Sequence, residues 1–221
     1  MGGPSQHPAP GGRVFEEILP VNAASVLKRI ASHLKDYYLA GGTGLALQLG
    51  HRKSADFDFF NDHPFNIDLL ISQIKPDKII MSVEGTLHCA SDGVKLSFLY
   101  YAQPRLFPAI AWRKLNLADW RDIAAEKMKT VAQRGSKKDF YDLYAVIKLK
   151  VSIEQVCRIF KDRFPSPTIN YYHVLRSLTF FEEAEEEPAP DMIVKNGNWE
   201  WNAIKKFFLK NIQVFEKQLS S

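Results

Sequence analysis

Tyr37-Tyr38-Leu39-Ala40-Gly41-Gly42-Thr43-Gly44-Leu45-Ala46-Leu47-Gln48-Leu49-Gly50-His51-Arg52-Lys53-Ser54-Ala55-Asp56-Phe57-Asp58-Phe59-Phe60 carries more chemistry than any other part of this 221-residue chain. A short apolar run breaks at two glycines, resumes after Thr43 as a brief helical pattern, and stops at Gly50. A basic pair follows, and the stretch closes on an alternating Asp-Phe-Asp-Phe. The expected order is strand, glycine turn, helix, basic loop, strand. Glycine lets backbone N–H groups approach a ligand with no Cβ in the way. Thr43 is the expected N-cap, and a helix start with free donors and a partial positive charge favours phosphate.

Asp56 and Asp58 stand two apart on the second expected strand, so both carboxylates leave one face. Their Cα atoms would lie roughly 6.5 Å apart at about 3.3 Å per residue. Phe57 and Phe59 point the other way, into a core. Carboxylates at this spacing can share Mg²⁺ (or Mn²⁺), which combines carboxylate with phosphate oxygens. A phosphate-holding turn beside an aspartate pair makes a nucleoside triphosphate with its metal the expected ligand.

Gly-Gly-Thr, a Leu-Ala-Leu helix, then Arg-x-Ser-x-Asp-x-Asp resembles the signature of the polymerase-beta-like nucleotidyltransferases. Leu39 through Thr43 with His51 through Asp58 is most similar to the AbiEii/AbiGii toxin type among them. A second block, Asp122 through Lys127 followed by Arg134-Gly-Ser-Lys-Lys-Asp-Phe-Tyr-Asp-Leu-Tyr144, carries the same resemblance. The fold it implies is α/β (α+β): a small mixed sheet flanked by helices, then a C-terminal helical part. The expected division is a tail over 1–14, a core over 15–118 and helices over 119–221. In the wider superfamily a third carboxylate sits on a later strand. Here Ser97 occupies the expected position, and Glu84, Asp139 and Asp142 remain open as substitutes.

Composition agrees with a folded protein: 46% hydrophobic, 24% charged, and rich in Phe. No apolar run approaches the roughly 20 residues of a membrane span. Met1 to Gly12, rich in Pro and Gly, has no apolar h-region and is expected to be a flexible tail. Cys89 and Cys157 lack metal-ligand spacing and suit buried thiols of a cytoplasmic protein. The net charge of +4 is too small to demand a nucleic acid, but nine basic residues face three acidic ones between Arg105 and Lys138.

Outside the central stretch, Val21, Ala24, Leu27, Ile30, Ala31 and Leu34 predict a helix. Helices are also expected over 65–74, 120–132, 153–160, 171–187 and 199–218, with Asp119 as an N-cap. Strands are expected over 79–83, 86–90, 94–101 and 115–118, with Ser91-Asp92-Gly93 turning a hairpin. Tyr171, Tyr172, Leu175, Leu178 and Phe181 form an expected packing stripe.

The resemblance implies transfer of a nucleoside monophosphate from an NTP to a hydroxyl. Asp56 and Asp58 are the expected metal ligands, and Gly41, Gly42 and Thr43 the phosphate cradle. Arg52 and Ser54 would flank the triphosphate. Lys127 would hold it as a point charge, with Lys137, Lys138 and Asp139 adding and orienting donors. A toxin of a toxin–antitoxin or phage-defence pair is implied, with tRNA or another RNA as acceptor and a cognate antitoxin as partner. Two other readings stay open: a binding module of the same fold without turnover, motivated by Ser97, and a metal-dependent nuclease.

Overall fold

The computed structural model describes residues 12–220, so most of the expected tail lies outside the described residues. In chain order the elements are α1 (Val21–Ile30), β1 (Tyr38–Leu39), α2 (Gly41–Leu49), β2 (Phe57–Asn61), α3 (Ile67–Ile74), β3 (Lys78–Val83), β4 (Thr86–Ser91), β5 (Val94–Tyr100), β6 (Ile110–Trp112) and β7 (Leu115–Leu117). Then come α4 (Trp120–Arg134), α5 (Lys137–Leu149), α6 (Ile153–Arg163), α7 (Tyr171–Ser177), α8 (Glu182–Glu185) and α9 (Trp201–Ser220). The strands form one mixed sheet in the order β3-β4-β5-β2-β1-β7-β6. The β2–β5 and β1–β7 pairs are parallel and the others antiparallel.

Strand alternation sets the two faces of this sheet. Along β2, Phe57, Phe59 and Asn61 are buried while Asp58 and Phe60 face the other way, half-buried. The buried face packs against α1 and α3 around Phe57, Phe59, Leu87, Cys89 and Phe98. The opposite face and α2 meet the C-terminal helices through a second core of Phe140, Tyr141, Phe160 and Phe208. The Phe57/Phe59 half of the alternating pattern enters the core as expected, Asp58 faces the other way, Asp56 falls outside the strand, and both cysteines are buried free thiols.

Local signals explain several boundaries. Gly50 and Gly135 end α2 and α4 in the left-handed conformation that glycine tolerates. Asp119 accepts a hydrogen bond from the Arg121 N–H, as its N-cap position requires. Asp92 and Gly93 both have positive φ, the geometry of a tight hairpin turn.

Four expectations need correction. In α1 the buried residues are Ala23, Val26, Leu27 and Ile30, while Val21 is 85% exposed, because the stripe is offset from the predicted one. The 171–187 helix is two pieces, α7 and α8, with Thr179, Phe180 and Phe181 between them. Tyr172 is 67% exposed and does not pack. Strand β6, only three residues long and next to Pro108, was not foreseen at all.

Phe98 lies stacked on Phe59 at 5.2 Å and edge-on to Tyr37 at 5.6 Å, fully buried. Phe98→Ala should lower the free energy of unfolding by about 3–5 kcal/mol in urea titrations. Tyr172→Ala should change it by no more than about 0.5 kcal/mol.

Candidate active site

The glycine turn brings the start of α2 against Asp58. Gly41 has φ of +61°, and a Cβ built on it would lie 2.3 Å from Asp58 Oδ2. Only glycine lets the carboxylate rest there. The Ala40 N–H donates to the Asp58 carbonyl at 2.9 Å, locking β1 to β2. Ala40, not Thr43, is the N-cap, and no side chain caps this helix. Its first-turn amides thus have no intrahelical acceptor. Thr43 is buried instead, its hydroxyl bonded to the Asp56 carbonyl and, at 2.7 Å, to Ser54 Oγ. It fastens the basic loop and does not line the cleft.

Gly41, Gly42 and Asp58 open onto a cleft of about 400 Å³ between the sheet and α4. Lys127, Thr130 and Arg134 face them from α4. The two cations, Lys127 and Arg134, are seven residues apart, about two helical turns, so they share a face with Thr130 between them. Farther along, Tyr38 and Phe60 stack at 5.8 Å, and the Arg105 guanidinium lies 4.1 Å from the centre of the Tyr38 ring. Arg163 closes this end, pairing with Asp122 at 2.6 Å and Glu126 at 2.8 Å. Arg105 and Arg163 escaped sequence reasoning, because single arginines on a linker and a remote helix carry no pattern.

Behind the cleft the charges are knotted. Asp142, fully buried, accepts from Arg52 Nε at 2.7 Å and Nη2 at 3.0 Å, and from His51 Nε2 at 2.8 Å. Its second oxygen also lies 2.7 Å from Lys127 Nζ. Lys127 pairs in addition with Asp139 at 2.8 Å, which in turn holds Arg134 at 2.8 Å. Burial opposes ionisation of Asp142, but Arg52 and Lys127 beside it hold the carboxyl well below its usual range. Burial keeps the His51 imidazole low, so it stays neutral against Asp142. The pairing expected of Asp139 is present. Lys127 reaches the cleft wall with two carboxylates already at its ammonium group.

The other expected residues divide. Asp56 stands just before β2 rather than within it and is exposed. It borders a neighbouring groove of about 330 Å³ with Arg52, Ser54 and Lys138. Lys137 faces neither opening. Its ammonium donates to the Glu185 and Glu187 carbonyls beside the Trp201 ring, which pins α5 to the α8 segment.

Ser97 is the register partner of Asp58 on β5, so the two side chains share a face. Burial raises the Asp58 carboxyl above its ordinary range, while the Ser97 hydroxyl and the Lys127 charge pull it down and Asp56 pushes it up. Of the substitutes for a third carboxylate, Asp139 and Asp142 are committed to cations, and Glu84 lies on the distant β3–β4 turn. No group of three or more metal-ligating side chains exists among the described residues, which excludes an all-protein cage there. A pair of carboxylates fits an ion that shares its coordination with substrate phosphates.

Asp142 sets a pH test. Its folded pKa lies far below the unfolded value of about 3.9, so its stabilisation is complete above that pH and disappears as pH falls further. Asp142→Ala strands three buried donors and should cost about 3–5 kcal/mol at pH 7. The gap between variant and wild type in urea unfolding should hold from pH 7 to pH 5 and narrow as the pH falls below about 4.

Three comparisons bear on this arrangement. The family described as nucleotidyl transferase AbiEii toxin, type IV TA system, matches residues 94–218, from β5 through the helical half. The glycine turn and the aspartate pair lie outside the matched residues. An uncharacterised protein of Aquifex aeolicus is 34% identical over 188 residues, covering 81% of this chain and 88% of its own length. JHP933 from Helicobacter pylori superposes with a TM-score of 0.51 at 18% identity, covering 94% of this chain and 95% of that one. MenT4, a nucleotidyltransferase toxin from Mycobacterium tuberculosis, superposes with a TM-score of 0.50 at 13% identity, over 90% and 94%. At these identities the structures share the fold alone. The family match covers more than half of the chain, and the protein belongs to the AbiEii family of nucleotidyltransferase toxins.

Proposed function

We propose that this enzyme moves a nucleoside monophosphate from an NTP to a hydroxyl of an RNA such as tRNA, releasing pyrophosphate, with Mg²⁺ (or Mn²⁺) as cofactor. The observation that carries this reading is the meeting of Asp58 and the uncapped start of α2 across one cleft from Lys127 and Arg134. Anionic phosphates suit free amides at a helix start and cations opposite. Gly41 and Gly42 admit the phosphates closely, Lys127 and Arg134 offset their charge, and the amide of Thr43 rather than its hydroxyl serves them. Arg52 and Ser54 act from behind, the first by fixing Asp142 and the second by tethering Thr43. Lys138 stands beside Asp56 at the groove, where it would meet the outer phosphates or the acceptor. Asp139 orients Lys127 and Arg134.

Asp58 in the cleft, with Asp56 close enough from the neighbouring groove for its charge to be felt at Asp58, would hold the metal, which when bound would polarise the phosphate oxygens and neutralise charge at the reacting phosphorus. The protein's own contribution is to align the α-phosphate for in-line attack and to hold positive charge where negative charge develops. The aromatic end at Tyr38 and Phe60 suits the flat nucleoside. Type IV toxins belong to pairs, so a cognate antitoxin is the expected partner. No helix of the described residues is long and apolar enough to cross a membrane, and a cytoplasmic site of action fits the RNA acceptor. A nuclease would have no use for a triphosphate-binding turn, whereas a binding module of the same fold would bind NTP with Mg²⁺ and release no pyrophosphate.

Incubation with each α-labelled NTP and total RNA should label an RNA species. Asp56→Ala and Asp58→Ala should each reduce labelling by about 100-fold or more while thermal unfolding stays cooperative. Full activity in either variant would reject the metal assignment, and RNA shortening without NTP would revive the nuclease.

A further inference from the structure

Transfer between two substrates needs two sites whose ligands meet, and the cleft at Asp58 accounts for one. A second cavity, of about 540 Å³, lies beyond Lys129 and Gln133 of α4, and both of these residues line both openings. They stand four apart, so they form a one-turn ridge between the two. Among the described residues no carboxylate lines the second cavity, and Lys129 and His173 are its ionisable side chains. The Lys129 ammonium donates to the Tyr101 hydroxyl at 2.9 Å and lies 4.7 Å from the centre of the Phe164 ring. Glu126, at 3.8 Å, is beyond hydrogen-bond length, so protons of this ammonium remain for a ligand. The wall also offers uncharged groups of both kinds. Gln103 gives its amide N–H to the Arg163 carbonyl at 3.2 Å, which leaves its amide oxygen to accept. His173 Nε2 donates to the Ala132 carbonyl at 2.9 Å, so Nδ1 of the neutral ring is an acceptor. Asn170 Oδ1 takes the His173 N–H at 3.2 Å, which leaves its NH2 group to donate.

We propose that this second cavity holds the unpaired terminal nucleoside of the RNA acceptor, an inference that rests on the transferase reading above. Its chemistry selects that occupant. A base edge and ribose hydroxyls present donors and acceptors together, as this wall does, whereas a lone phosphate would call for donors only. A concavity of this size takes one splayed-out nucleoside, and a paired duplex does not enter it. A wall without carboxylates does not repel the phosphates of the strand that follows. Lys129, on the ridge, then stands between the acceptor on one side and the NTP on the other, a point charge available to the phosphates of both.

Three variants of the full-length protein test the site on the RNA that wild type labels, with KM measured separately for that RNA and for the NTP. Asn170 and Thr168 line the second cavity and not the first. Asn170→Asp keeps the oxygen that accepts the His173 N–H and adds a negative charge to the wall. It should raise KM for the RNA about 10-fold and leave KM for the NTP within about twofold. Thr168→Trp fills the cavity without adding charge and should do the same. Tyr172, 67% exposed, lines neither opening, so Tyr172→Glu controls for charge alone and should move each KM by less than about twofold. A KM for the RNA unchanged in both Asn170→Asp and Thr168→Trp overturns the site and leaves the transferase reading standing. So does an equal rise in Tyr172→Glu, or an equal rise in KM for the NTP. If Thr168→Trp fails to fold, Asn170→Asp against Tyr172→Glu decides. Wild type that labels no RNA from any NTP overturns the transferase reading itself, and the site with it.

Discussion

A single buried carboxylate, that of Asp142 on α5, binds the sheet half of this protein to its helical half. His51 and Arg52 come to it from the loop after α2, and Lys127 comes from α4. An ion pair this deep is costly to desolvate, and what offsets the cost is geometry: every oxygen position has a donor. The knot fixes Lys127 relative to the glycine turn, because the residue after His51 is held by the same acid. Remove the acid and the cleft loses both a wall and its charge balance.

Around that knot the cleft divides by chemistry. Near Asp58 it is polar and ionic, with amides on one side and Lys127 and Arg134 on the other. Two residues farther along β2, at Phe60, it turns aromatic. The alternation that puts Phe57 and Phe59 into the core is the same alternation that presents Asp58 and Phe60 to the ligand. Core and site are therefore written in one sequence pattern, and a register slip would destroy both at once.

Much of this was legible because it is local. Glycine stops, the Asp119 cap, the Asp92-Gly93 hairpin and the Asp-Phe alternation each depend on neighbours in the chain. Ser97 could be set near the aspartates through the family resemblance, although β5 and β2 are far apart in the chain. What escaped depends on distant partners. Thr43 has the residue type of an N-cap, yet Ser54 and the Asp56 carbonyl claim its hydroxyl, and the helix begins three residues sooner. Lys137 looks like a phosphate ligand beside Lys138, but the carbonyls of Glu185 and Glu187 capture it. Nothing in a linear sequence says which of two adjacent lysines will be buried. The division of Asp56 and Asp58 between two openings is equally a product of tertiary packing.

The β3 margin has a consequence unrelated to catalysis. Every residue of Lys78–Val83 is exposed, among them Ile79, Ile80, Met81 and Val83, and among the described residues no strand pairs with its outer side. Such a margin templates the addition of further chains, and a lone lysine at one end is thin protection. The six residues at this rim therefore offer the sheet a place to grow by edge pairing, whatever the packing of its interior.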